Sequence, residues 1–239
     1  MDALAMHIAN GILNGPVTLS YTVVAAIGLA VCLNRARRDL EDRLVPMAGL
    51  VAAFIFAVQM LNFPVLPGVS GHLLGGTLAV MLVGPWVGAV CVAIVLVVQA
   101  LLFADGGVTA LGANITNMAL VGTAAGYLLV FLLLRVLPRT PAGLGITAFA
   151  ASVVSVVAAS QSFVLQYALG GATPLADGGL GTIAAVMAGS HTLIGIGEGL
   201  IAATTVVAVS KTRPDLVYAV RTLRRAAPSN PVPATAGVA

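Results

Sequence analysis

The three histidines of this 239-residue chain, His7, His72 and His191, are its side chains best suited to hold a metal ion or move a proton near neutral pH. Neutral imidazole is a common ligand for late first-row metals. Taken alone, His7 could be a solvated residue near a chain end. His72, two residues after Ser70, could begin a helix capped by that serine. Met6 adds a further possibility. If Met6 is the first residue, its amine, the His7 backbone nitrogen and the His7 imidazole can chelate one ion together. A second imidazole, from His72, would complete four nitrogens, a tetragonal set that suits Ni(II) or Cu(II). His191 and Glu198 are seven residues apart and share a helix face to within about 20°. Ionisable groups at membrane depth are expensive and usually functional. The pair reads either as a functional one in a bundle interior or as a hydrogen-bonding one to neighbouring helices. Cys32 and Cys91 lie in apolar runs without CxxC spacing and read as small buried hydrophobes. The chain contains no HExxH, which excludes a zincin, and no GxxxxGK[ST], so any ATP hydrolysis must be supplied by a partner.

The elements that position these residues must cross a membrane. Of the chain, 59% is hydrophobic and 8% charged, against roughly 25% charged in a soluble domain. Such a surface needs lipid as its solvent, and it leaves no basic footprint for nucleic acid. Apolar runs near 17–34, 44–62, 72–84, 86–104, 114–134, 143–168 and 180–210 predict an all-α bundle of about seven transmembrane helices. The third is short, about 20 Å of helix, and is not expected to cross fully. No cleavable signal peptide is evident. Residues 1–210 form one membrane domain and 211–239 a basic tail, with Arg221 to Ala239, containing Pro228, Pro231 and Pro233, expected to be disordered.

All eleven basic residues lie after the first, fifth and seventh runs. The positive-inside rule makes those sites cytoplasmic, puts the N-terminus outside and the C-terminus inside, and requires an odd number of spans. His7, the Phe63–His72 loop, the Asp105-Gly106-Gly107 turn and the 170–181 loop then share the outer face. Asn62 lies closest to that face among the amides Gln59, Asn62, Gln99, Asn114, Asn117 and Gln161, which are expected to bond between helices. Small-residue pairs four apart, such as Ala26/Ala30, Gly49/Ala53, Gly75/Ala79, Gly122/Gly126 and Gly195/Gly199, mark close helix contacts, within the chain or with a partner.

Four segments carry a family resemblance. Met6–Leu13 (MHIANGIL) is similar to the MHIxDG[FI]L opening of the CbiM/NikM family. Gly68–Gly76 (GVSGHLLGG), Gln99–Asn117 (QALLFADGGVTALGANITN) and His191–Ile201 (HTLIGIGEGLI) agree with it in order, so the resemblance runs from about Met6 to Ser210. Members are substrate-binding S components of energy-coupling-factor transporters for cobalt and nickel. The resemblance implies that Met6, His7 and His72 bind the ion, the terminal amine and the His7 backbone and ring nitrogens being joined by the His72 ring. Asn62, Ser70, His191 and Glu198 are candidates to surround those ligands. It implies transport of Ni²⁺ or Co²⁺ with no catalytic cofactor. It also implies a membrane coupling protein, two cytoplasmic ATPases and often a small extra membrane subunit, in the inner or plasma membrane, with tilting of the S component to release the ion.

Two departures stand out. Positions 9 and 10 are Ala and Asn, where Pro and Asp are common, which alters a turn and not a ligand. Residues 1–5 precede Met6 and would convert its amine to an amide, so a start at Met6 is expected, with 1–5 a non-native extension. Two other readings of the chain are an S component for a vitamin-like molecule and a protease. Gly68-Val69-Ser70-Gly71 looks like the GxSG of rhomboid intramembrane proteases, with Ser70 as nucleophile and His191 as base. Gly195 stands four residues after His191, where rhomboids usually have three.

Overall fold

Apolar runs become helices here because, in lipid, every backbone polar group must be satisfied within the chain. The structure is a computed structural model and describes residues 7–39, 45–60, 62–66, 69–174 and 179–224. In order, the elements are α1 (Gly15–Asp39), α2 (Val45–Gln59), β1 (Asn62–Leu66), β2 (Val69–His72), α3 (Gly76–Val83), α4 (Pro85–Leu102), α5 (Leu111–Asn114), a π-helical segment (Ile115–Gly122), α6 (Thr123–Val136), α7 (Pro141–Gly170), α8 (Gly179–Thr212), a 3-10 turn (Pro214–Leu216) and α9 (Tyr218–Arg224). This is a multi-pass, all-α membrane fold. Five helices, α1, α4, the continuous 111–136 helix, α7 and α8, are long and apolar enough to cross a membrane, and α2 is a shorter apolar helix.

α3 has 8 residues, all buried, or about 12 Å of helix. It is apolar because protein surrounds it, not because it spans lipid. Within the stretch read as a loop from Phe63 to His72, β1 and β2 pair antiparallel, Asn62 with His72 and Phe63 with Gly71. The residues from Arg221 to Arg224, read as the start of an unstructured tail, are the end of α9. The rest of that tail lies outside the described residues.

α7 begins at Pro141, with Thr140 Oγ1 accepting from Gly143 N as its cap. α7 and α8 pack antiparallel. A Cβ at Gly195 would meet Val153, and one at Gly199 would meet Phe149, so this small-residue pair is an internal contact. Gly75 and Gly126 are likewise pressed against Ile55 and Thr77. Ala26, Ala30, Gly49 and Ala53 are exposed instead. Ile55, Leu73, Met81, Leu96 and Val156 form the fully buried core. α1 turns Leu19, Val23, Ile27 and Val31 outward, a face that lipid accommodates and water would not. Both cysteines are buried and unpaired.

The two ends of the bundle differ in chemistry. At one end Arg35 stacks 5.8 Å over Trp86, and Arg135 and Arg139 line a groove with Tyr218. Tyr218 also packs on Gly84, next to the start of α4. The opposite end gathers the N-terminal segment, the 105–114 turn, the 170–173 turn and His72.

Candidate metal site at the N-terminal end

Residues 7–14 form no regular element, so their backbone groups must find partners elsewhere. They find them on two sides. Asn114 grips Ile8 reciprocally, its Oδ1 accepting from Ile8 N at 3.0 Å and its Nδ2 donating to Ile8 O at 3.3 Å. Gly107 N donates to the same carbonyl at 2.9 Å. On the other side Ala172 N donates to Ile12 O at 2.9 Å, Thr173 Oγ1 to Gly11 O at 3.0 Å, and Asn14 N to Gly170 O at 2.8 Å. Asn14 Oδ1 then accepts from Val17 N at 3.0 Å and caps α1. The segment is thus laced across the mouth of the bundle.

Asn10, which departs from the common Asp, is exposed, and its Oδ1 accepts from Thr109 N at 3.1 Å and Thr109 Oγ1 at 2.6 Å. A carboxylate would accept the same two bonds, so the change falls on a turn. Gly106 has φ +85°, and a Cβ there would strike His7 Cβ. Only glycine lets the turn come this close in that conformation.

This lacing drives His7 inward until it is 8% exposed, beside His72 at 5%. The two rings lie 4.5 Å apart between centroids, tilted by 50°. His7 Nδ1 is 3.2 Å from Asp105 Oδ1, yet neither ring nitrogen completes a hydrogen bond among the described residues. A buried polar atom left this way is costly unless it has a ligand to bind. His72 Nδ1 lies 2.8 Å from Leu73 O. A carbonyl only accepts, so Nδ1 carries the hydrogen and Nε2 keeps its lone pair. Burial, reinforced by the neighbouring His7 ring, pushes the His72 imidazole down to about 3. It is neutral, and so ligand-ready, at ordinary pH.

Among the described residues, no three His, Cys, Asp or Glu side chains are arranged to hold an ion. Two imidazoles therefore need further donors of another kind. Met6 lies outside the described residues, as do the side chains of Asn62 and Ser70, whose backbones belong to β1 and β2. His191 does not join the cluster. It is half-buried, and its Nδ1 closes on its own helix, 2.9 Å from Met187 O and 3.1 Å from Ser190 Oγ. Glu198 is buried and accepts from Leu74 N at 2.6 Å. The spacing of seven thus places the two on one helix without making them a pair.

Asp105 was not singled out from the sequence, although it is one of only eight acidic residues and flanks a Gly-Gly turn. That scarcity was the available signal. Asn114 was expected to bond between helices. It bonds instead to the backbone of the N-terminal segment, a role no periodicity announces.

The chain is also similar to known proteins in sequence and in fold. The family model for CbiM, described as the cobalt uptake substrate-specific transmembrane region, matches residues 7–216. The chain is 37% identical to a protein of Archaeoglobus fulgidus provisionally named as a fused nickel transport protein, over 89% of this chain and 68% of that one. It is 31% identical to the cobalt transport protein CbiM of Sorangium cellulosum, over 92% of this chain and 98% of that one. A crystal structure of a transition metal transporter superposes with a TM-score of 0.77 at 27% identity, covering 87% of this chain and 93% of that chain.

Proposed function

This chain belongs to the CbiM family of cobalt uptake substrate-specific transmembrane regions, and from that premise we propose that it captures Ni²⁺ or Co²⁺ between His7 and His72 and delivers it inward. The chain is a membrane component of cobalt and nickel uptake, and the work proposed for it is binding and release. The observation that carries the proposal is the buried pair of imidazoles, 4.5 Å apart, with His7 Nε2 lacking a hydrogen-bond partner among the described residues.

The proposed ligands are Met6, His7 and His72. With Met6 as first residue, its amine and the His7 backbone nitrogen stand one peptide apart and add two donors to the two rings. A four-nitrogen tetragonal set favours Ni²⁺ over Co²⁺ in intrinsic affinity and would favour Cu²⁺ further. Selection among these ions then rests on geometry and supply. The end carrying His7 and His72 is proposed to face the extracytoplasmic side. The arginines at the opposite end support that orientation through the positive-inside rule. Inward release is driven by two ATPase subunits acting through a membrane coupling protein, with a small extra membrane subunit as a further partner.

Native mass spectrometry of the purified chain with Ni²⁺ and Co²⁺ tests this directly. The expected result is one tightly held ion on a chain beginning at Met6, lost on His72→Ala. One ion on a chain beginning at Met1 would keep the cargo and replace the Met6 amine with another donor. No bound ion on either form would overturn the proposal.

A further inference from the structure

Between His72 and the start of α3, residues 73–75 run without regular structure and are fully buried. Irregular backbone at membrane depth persists only where protein satisfies it. Here two side chains from distant helices do so. Glu198, from the middle of α8, accepts from Leu74 N at 2.6 Å and also contacts the Gly75 backbone. Gln59, from the last turn of α2, donates through Nε2 to Leu74 O at 2.7 Å. Glu198 is 3% exposed and Gln59 0%. Gly195 and Gly199, on either side of Glu198, press against Val153 and Phe149 of α7, which locks the position of Glu198 along the bundle. Both backbone polar groups of Leu74 are therefore pinned, two residues from His72.

We propose that Glu198, assisted by Gln59, is a positioning residue for the metal site: it holds the 73–75 linker so that His72 meets His7 at ligand distance. The assignment rests on the metal-capture reading given above. Its physical basis is that a metal site tolerates only about 0.5 Å of misplacement, while an unpinned Leu74 peptide could slide or turn and carry His72 with it. A leucine at 198 would fill similar space but leave the Leu74 N–H without an acceptor. A glutamine would still accept through its carbonyl oxygen. A carboxylate this deep, spent on a backbone N–H beside a ligand, is thus explained by geometry it imposes on its neighbour.

The test measures Ni²⁺ and Co²⁺ affinity and the Co²⁺ visible spectrum on the full chain in detergent, together with melting temperature. Glu198→Ala is expected to weaken affinity about ten- to a hundred-fold, the range for residues that orient metal ligands, and to shift the Co²⁺ bands. Glu198→Gln should restore both. Val206→Ala, a fully buried site on the same helix, should lower the melting temperature and leave affinity and spectrum unchanged. Should Glu198→Ala fail to fold, Gln59→Leu and Glu198→Gln carry the same test, with a smaller affinity loss for the first and none for the second. Wild-type affinity in Glu198→Ala, or losses that track melting temperature equally in Val206→Ala, would overturn the positioning role alone. Absence of binding in the wild type would instead overturn the metal-capture reading, and this inference with it.

Discussion

Among the described residues, ionisable side chains are drawn in from the surface both at the N-terminal end and on α8, for different reasons. At the N-terminal end, His7, His72 and Asp105 come from three separate stretches of chain and converge, and His7 Nε2 has no hydrogen-bond partner among the described residues. On α8, His191 and Glu198 come from one helix and diverge, the first closing on Met187 O and the second on Leu74 N. Convergence with unspent donors is what a ligand site needs. A shared helix face whose bonds run to separate partners is what a scaffold needs. Regular spacing therefore pointed to the scaffold, while the cluster came from residues with no spacing relation at all.

The comparison breaks most sharply at His72. His72→Ala is expected to abolish ion retention in native mass spectra while the helical fold, read by circular dichroism, remains. Retention of a stoichiometric ion would move the site away from the ring pair.

Next comes the seat of His7. Gly106→Val places a β-branched residue at φ +85°, against His7 Cβ, which costs about 1–3 kcal/mol in backbone strain alone. Both melting temperature and metal affinity should fall. A drop in melting temperature with unchanged affinity would mean that the N-terminal segment is held without the 105–107 turn.

Acid sharpens the contrast further. The His72 imidazole is pushed from its ordinary 6.5 down to about 3 by burial. In the unfolded chain it takes up a proton that the folded chain refuses, so the stability it contributes is complete above pH 6.5 and is lost as pH falls from there toward 3. The melting temperature of the metal-free protein should decline across that window, and His72→Ala should flatten the decline. An unchanged slope in that variant would assign the acid sensitivity to another group.

The smallest effect is expected at His191. His191→Ala removes one half-buried bond within a helix, worth about 0.5–1.5 kcal/mol, and should leave ion affinity at the wild-type value. A loss of affinity would draw α8 into the ligand cluster and erase the distinction between the two regions.

Much of the architecture was legible because apolar runs and basic residues are local features. The runs near 17–34, 86–104, 114–134, 143–168 and 180–210 match the helices long enough to span. The alternation of arginines sorted the connecting segments into two groups, and the fold gathers His7, His72, the 105–114 turn and the 170–173 turn together. The length of the third run set it apart from the spans, but its surroundings were not legible: a helix enclosed by protein is as apolar as one enclosed by lipid, so composition cannot tell α3 from a span. The pairing of β1 with β2 was hidden because Gly- and Pro-bearing stretches suit a loop and a short ladder equally.

Composition, the order of apolar runs, the placement of charge and the family motifs determined, from the sequence alone, that this is a membrane helix bundle of cobalt and nickel uptake with two histidines at one end. Only the tertiary structure decided that the His7 and His72 rings lie 4.5 Å apart, that Asn114 and Gly107 draw the N-terminal segment inward, and that Glu198 serves Leu74 and not His191. The reason is that hydrophobicity and charge act on each residue's choice of solvent, which can be read one position at a time. Which side chains meet depends on how glycine-lined helix faces close on one another, and that closure joins residues as far apart as 74 and 198.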